Sequence, residues 1–285
     1  MDMSDMPQHL TQDVLRVRHA KLLRQRPGFG YLLATLMLAL LFAGLWHLGF
    51  SFVKFAAGIV NLGNFVSLMF PPAWGTQQDL VRYLVALAET VAIAFLGTLL
   101  AAMFAFPLGF FAARNTTVSN FVRLFSRRGF DTLRGVDMLI WALIWVNVVG
   151  LGPFAGVLAI MSSDIGSLGK LFSEAIEASD RKPVEGILAA GGTRLHAIRF
   201  GIIPQVLPVL ISQVLYYFES NTRSATIIGI VGAGGIGLQL SEQIRTLEWQ
   251  IVCFLILMIL VTVALIDQVS SRLRHAVTAR AEAAI

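Results

Sequence analysis

Long apolar blocks separated by short polar ones dominate this chain. The first block, residues 31–50, has no Asp, Glu, Lys or Arg. It exceeds the length of a signal-peptide core and lacks a small-residue cleavage pattern, so it reads as a retained membrane-spanning helix. Residues 51–70 differ. Phe52, Phe55, Ile59, Leu62, Phe65, Val66 and Met69 recur at helical spacing with Lys54, Asn61 and Asn64 among them. That pattern predicts a helix lying in the interface plane and stopped by Pro71-Pro72, with a second spanning helix as the alternative. Apolar blocks at about 83–113, 133–149, from 154 onward, from 204 onward and 249–269 bring the expected spans to six. Glu89 lies near the outer end of the second, and Pro107 predicts a kink near its inner end. Gly150-Leu151-Gly152-Pro153 reads as a tight turn. The fourth block becomes amphipathic: Leu168, Leu171, Phe172, Ala175 and Ile176 share one face, with Lys170, Glu174 and Glu177 facing away. Glu219, Asn221 and Arg223 interrupt the fifth, and a glycine-rich segment, 229–237, follows it.

Composition agrees with a bilayer as solvent. Of 285 residues, 56% are hydrophobic and 14% charged, well below the roughly 25% charged residues of soluble domains. The net charge of +5 does not point to nucleic acid, because the basic residues alternate with the spans. Arg16, Arg18, Lys21, Arg24 and Arg26 precede span one. Arg114, Arg123, Arg127, Arg128 and Arg134 lie between spans two and three. Lys170, Arg181, Lys182, Arg194 and Arg199 lie between four and five, and Arg272, Arg274 and Arg280 follow six. Eighteen of the 22 Lys and Arg residues therefore fall on one face, which is expected to be cytoplasmic and to carry both termini. Cys253 is the sole cysteine, so no intrachain disulfide is possible, and the five histidines lack ligand spacing, so no metal site is expected.

Between spans four and five lies a polar stretch, residues 185–204, EGILAAGGTRLHAIRFGIIP. Gly191-Gly192 breaks a short helix, Thr193 is placed to cap a second, and Pro204 opens the next apolar block. Gly191 suits the positive φ of a sharp helix–helix turn. Glu185, Gly191 and Pro204 resemble the Glu, Gly and Pro of the EAA loop in ABC importer permeases. Here Gly186-Ile187 stands for the two alanines and Gly201-Ile202-Ile203 for the apolar triplet before the proline. Residues 150–156, 169–177, Asn221-Thr222-Arg223-Ser224-Ala225-Thr226 and Gly232-Ala233-Gly234-Gly235-Ile236-Gly237 resemble the phosphonate-transporter permease branch. The resemblance covers about residues 60–275.

The resemblance implies an all-α polytopic membrane protein with the type I importer permease fold, six transmembrane helices and a cytoplasmic coupling loop. It implies a basic N-terminal segment at 1–30, a first span with interfacial helix at 31–80, a permease core at 81–272 with its coupling loop at 179–204, and a cytoplasmic tail at 273–285. It further implies a second permease copy, two ATPase subunits on the loops, an extracytoplasmic binding protein, and phosphonate, phosphite or phosphate as cargo across the plasma membrane. In the loop, Glu185 is expected to pair across the turn, Arg194 and Arg199 to face an acidic partner, and Leu195 and Ile198 to offer apolar contact, with His196 a further coupling residue and Gly191, Gly192 and Pro204 setting the shape. No G-x-x-x-x-G-K-[ST] occurs, so ATP and Mg are expected on the partner and this chain is expected to bind no cofactor and to be no enzyme. Gly232-x-Gly234-x-x-Gly237 follows a span rather than a strand, which excludes a dinucleotide site and leaves a flexible loop or a close helix crossing. Gly152 and Gly156 offer close helix approach or serve the turn.

For the translocation route the candidates are Glu89, Glu219, Asn221, Arg223 and Ser224. Arg223 either offers donors to an oxyanion or only pairs with Glu219. An importer for another small solute remains an alternative. So does a secondary transporter without an ATPase, although no inverted hydropathy repeat supports it. An intramembrane enzyme lacks a nucleophile–base constellation.

Overall fold

A computed structural model describes residues 27–282 apart from residue 118; the expected basic run from Arg16 to Arg26 lies outside the described residues. The chain divides into two units at Ser67–Leu68. In the first, α1 (Pro27–His47) is apolar on every side and largely exposed from Gly30 onward, as befits a helix whose solvent is hydrocarbon. It leads through a Phe50–Phe52 edge-to-face contact, 5.2 Å between centroids, into α2 (Phe52–Met69). At 18 residues α2 is long and apolar enough to cross a membrane, so its length permits spanning as well as the expected interfacial placement.

The second unit is built on two long helices. α3 (Gln77–Ala112) starts at a reciprocal cap between Thr76 and Asp79 and continues through Pro107 for five more residues. α6 (Pro153–Glu177) lies along it. The face of α3 turned to α6 carries small residues at helical spacing, among them Ala94, Gly97, Ala101, Ala105 and Gly109, all buried. Lipid tails are as apolar as leucine, so such helices associate through close packing rather than through expulsion of water. Gly97 shows the tolerance: a Cβ there would lie 2.7 Å from Ile160 Cβ.

Between them runs α4 (Asn120–Arg134), an amphipathic helix capped by Ser119, then α5 (Met138–Val149). The expected third span, 133–149, is therefore not one helix. Gly135 ends α4, Asp137 accepts from Leu139 N–H at 2.9 Å to start α5, and the two axes meet at 86°. α5 has 12 residues, about 18 Å of rise, less than the roughly 30 Å hydrocarbon core. Among the described residues six helices are individually long and apolar enough to span, with the bent α4–α5 pair a seventh candidate.

After α6 come α7 (Arg181–Ala189), a single turn α8 (Arg194–His196) and a π-helical turn, Ala197–Ile202. The long α9 (Ile203–Ile230), the short α10 (Ile236–Arg245) and α11 (Trp249–Glu282) complete the chain. α9 packs on α3, α6 and α11. The glycine-rich turn before α10 is a close crossing rather than a loose loop. A Cβ on Gly234 would lie 2.8 Å from Pro153 N, and one on Gly156 would lie 2.8 Å from Ala233 O.

Replacing Gly97 with Ala should destabilise the folded permease by about 1–3 kcal/mol, the usual cost of overpacking a filled site. Gly58→Ala, where a Cβ meets nothing within 4 Å, serves as the control. Thermal unfolding in one detergent checks this; equal midpoints for the two variants would refute the α3–α6 assignment.

Candidate functional site

The loop between α6 and α9 folds into a knob held by its own backbone. Asp180 caps α7, accepting from Lys182 N–H at 3.1 Å. Gly191 then takes φ +83°, while a Cβ there would meet nothing, so conformation rather than space calls for glycine. Gly192 answers a different need, because its Cβ would lie 2.7 Å from Ile187 O. Thr193 caps α8 as expected, with His196 N–H donating to its hydroxyl and Thr193 N–H donating to His196 Nδ1, both at 3.4 Å. Pro204 has no N–H to donate, and the turn before it is π-helical, Ile203 N–H reaching back to Ile198 O.

The clasp of the knob is Gln205, which the sequence did not single out. Its Oε1 accepts from Asp180 N–H at 2.9 Å, and its Nε2 donates to Gly201 O at 2.6 Å and to Asp180 O at 3.3 Å. The entry and exit of the loop are thereby joined. Glu185 does not do this work: it is exposed and has no ion pair among the described residues. Ile198 also departs from expectation. With Val184 it packs inward on a cluster that includes Ile176, Ile202 and Val206. Leu195, 72% exposed, and Phe200, 60% exposed, are the apolar groups that face out. Arg199 lies over the Phe200 ring at 5.3 Å, and Arg194 and His196 are exposed beside them.

Glu177, expected to face away, instead ties three helix ends together at the base of this knob. Its Oε1 takes Arg127 Nη2 at 2.8 Å and Arg114 N–H at 2.6 Å, with Arg123 Nε at 3.9 Å. Arg127 also donates to Ala112 O at 3.2 Å, and Asn115 to Ile176 O at 2.7 Å. Lys170 likewise turns to Asp131, at 3.2 Å.

The polar residues of the fifth expected span separate into two groups. Glu219 is 8% exposed and holds Arg274 of α11 at 3.0 Å, with Arg223 farther away at 3.7 Å. The expected i, i+4 pair exists, but its nearer cation comes from another helix, and Arg223 remains half exposed. Asn221, two residues along, points elsewhere. It is 2% exposed and donates to Thr98 Oγ1 at 2.8 Å and to the Asp164 carboxylate, itself 2% exposed. Asn221 thus joins α3, α6 and α9 inside the helix packing instead of lining an open path in this chain. Ser224 bonds back to Ser220 O at 3.4 Å. Glu89 serves the start of α10: it accepts Gly235 N–H at 3.3 Å, beside Thr90 accepting Ile236 N–H at 2.7 Å. Asp164 and Thr98 were not anticipated. An acid in the middle of an apolar helix is the signal that identifies the first; nothing marks the second. Among the described residues no group of His, Cys, Asp and Glu is arranged to hold a metal.

Comparison with known proteins fits this geometry. A Stutzerimonas stutzeri protein carrying the provisional name of a phosphite transport system permease, HtxC, is 40% identical over 85% of each chain. The phosphate-import permease protein PhnE of Mycolicibacterium smegmatis is 35% identical over 75% of this chain and 40% of its own length. An inward-facing structure of the MetNI methionine ABC transporter shares the fold, with a TM-score of 0.62 at 18% identity over 71% of this chain and 99% of that one. The family model for the inner membrane component of binding-protein-dependent transport systems matches residues 105–281, and the chain belongs to that family of membrane permeases.

Proposed function

We propose that this chain is the permease of an ATP-driven importer for a phosphorus oxyanion: phosphonate, phosphite or phosphate. Two copies form the route, an ATPase docks on each 185–204 loop, and an extracytoplasmic binding protein delivers the cargo. ATP and Mg bind the ATPase, and the loop and both termini face the cytoplasm. In this reading the permease core is residues 81–272, with the coupling loop at 179–204.

The clasped knob is the observation that carries this reading. Leu195, Phe200, Arg194 and Arg199 project from a body whose two ends are joined through Gln205. Below it, Val184 and Ile198 enter the same apolar cluster as Phe172 of α6 and Ala105 of α3. A partner that pulls on the exposed face therefore moves α6 and α9 rather than bending a loose segment. The cargo class rests on relatives named for phosphite and phosphate transport, together with the resemblance of residues 221–226 and 232–237 to the phosphonate branch. Selectivity then lies mainly with the binding protein, because the permease needs only weak contact with an ion that must leave it.

Proteoliposomes holding the permease with its ATPase, supplied with binding protein and radiolabelled phosphite, phosphate or methylphosphonate, test the proposal. Uptake should require both internal ATP and the binding protein. Ion-gradient uptake by the permease alone would overturn the proposal, and ATP-driven uptake of an unrelated solute in place of all three would overturn its cargo assignment.

Gly191→Val forces a β-branched residue into positive φ, at a cost of roughly 1–2 kcal/mol or more, and should uncouple ATP hydrolysis from uptake. Gln205→Leu should cut coupled uptake about tenfold, the equivalent of one net hydrogen bond near 1.4 kcal/mol. Uptake at the wild-type rate in both variants would remove the loop from the mechanism.

A further inference from the structure

Below the Asp164–Asn221 contact, α6 and α9 continue to face each other with polar residues. Asp164, Ser167 and Glu174 recur along α6 at near-helical spacing, and Gln213, Tyr217 and Asn221 follow i, i+4, i+8 along α9. The seam opens into a cavity of about 370 Å³ lined by Arg134, Ser167, Lys170, Leu171, Glu174 and Tyr217. At about 30 Å³ per water that is room for about a dozen waters, enough for a small hydrated ion.

The cavity is constructed rather than incidental. Arg134 is the last residue of α4, and α4 reaches this wall only because α6 has glycines where they cross. A Cβ on Gly166 would lie 2.7 Å from Phe130 O and 2.8 Å from Arg134 N, and Gly169 lies directly beneath the Phe130 ring. No ion pair among the described residues involves Arg134. Lys170 shares its charge with Asp131 at 3.2 Å, and Arg128 lies 3.8 Å from the same carboxylate. Among the side chains that line the cavity, two cations, Arg134 and Lys170, stand against one acid, Glu174; Asp131, outside the lining, is shared by Lys170 and Arg128. Two hydroxyls, of Ser167 and Tyr217, add neutral donors. Gln213 Oε1, one turn from Tyr217, is buried without a partner.

We infer that this cavity is a station for a tetrahedral oxyanion on the loop side of the route, held by Arg134 and Lys170 and oriented by the Ser167 and Tyr217 hydroxyls. Arg134 supplies a planar fork of donors suited to two oxygens of one anion, and Lys170 supplies a point charge. Glu174 at the rim repels the anion and keeps residence short, as a transit site requires. Asp164 and Asn221 close the seam above it. The inference rests on the cargo class proposed above. A phosphate-bearing lipid headgroup has the same chemistry, so the test separates the two.

The permease–ATPase complex is placed in nanodiscs of phosphatidylcholine alone, without binding protein, and binding of radiolabelled inorganic phosphate is measured. Saturable binding displaced by phosphite is expected. Arg134→Gln should weaken it about tenfold or more, as expected for a hydrogen bond to a charged group. Arg134→Lys should retain most of it. Glu174→Gln should tighten binding, a direction that a merely damaged fold does not produce. Equal affinity in wild type and Arg134→Gln would overturn the station. Absence of saturable phosphate binding would overturn it too, and a parallel preparation in nanodiscs containing phosphatidylglycerol that retains that lipid through Arg134 would mark a lipid site instead. If either result accompanies intact ATP-driven uptake by the wild type, the cavity assignment fails while the transport reading stands.

Discussion

The close approach of α3 and α6 is the constraint on which the rest of this structure depends. In hydrocarbon the helices gain little from burying apolar surface, so their separation is set by what lies between the backbones. Alanines and glycines occupy that line from Ala94 to Gly109, and Ile160 fills the room that Gly97 leaves. The other helices of the second unit take position from this pair. α4 crosses α6 at Gly166 and Gly169, α9 enters through Asn221, and the α10 turn rests on Thr90 and Pro153. A shift of α6 along α3 is therefore felt at the α10 turn and at the loop end together.

Polar contacts are spent at the places where packing alone gives no register. Apolar helices with small interfaces can slide; a hydrogen bond cannot slide without breaking. Thr98, Asp164 and Asn221 fix three helices at mid-depth, with each amide or hydroxyl satisfied inside the bundle. Glu177 does the same at the loop end with two guanidinium groups and one backbone N–H. Between these two levels lies the cavity bounded by Arg134 and Lys170. The seam is thus closed above by Asn221 and Asp164 and framed by charge below.

Much of this was legible in the residues, and the failures have physical causes. Apolar length located the main helices because no soluble core needs such runs. Gly191 and Thr193 announced their turn and cap because their chemistry is local. The corner at Gly135–Asp137 was lost inside an apolar block, since two capping residues between two helices do little to a window average. Asn221 was grouped with Glu219 and Arg223 by adjacency. A residue two positions along a helix points about 200° away, and so it reached Thr98 and Asp164 while they reached Arg274 and each other. Gln205 was invisible for another reason. Its partner Asp180 is 25 residues away, and only the folded knob brings them together.

Glu219 shows how a charge is kept in such a bundle. Its carboxylate is almost fully buried, where an unpaired ion costs several kcal/mol. Arg274 approaches one oxygen at 3.0 Å without the alignment of a hydrogen bond, and Arg223 approaches the other at 3.7 Å. Neither contact is tight, but two cations around one acid leave the group with surplus positive charge. That surplus is carried by Arg223, half exposed on α9, while Arg274 is braced against the Tyr216 ring at 5.9 Å. The acid therefore anchors α11 to α9 and leaves Arg223 only partly neutralised. Arg223 is therefore the looser of the two cations on this acid, because its own helix holds it at i+4 while Arg274 reaches across from α11.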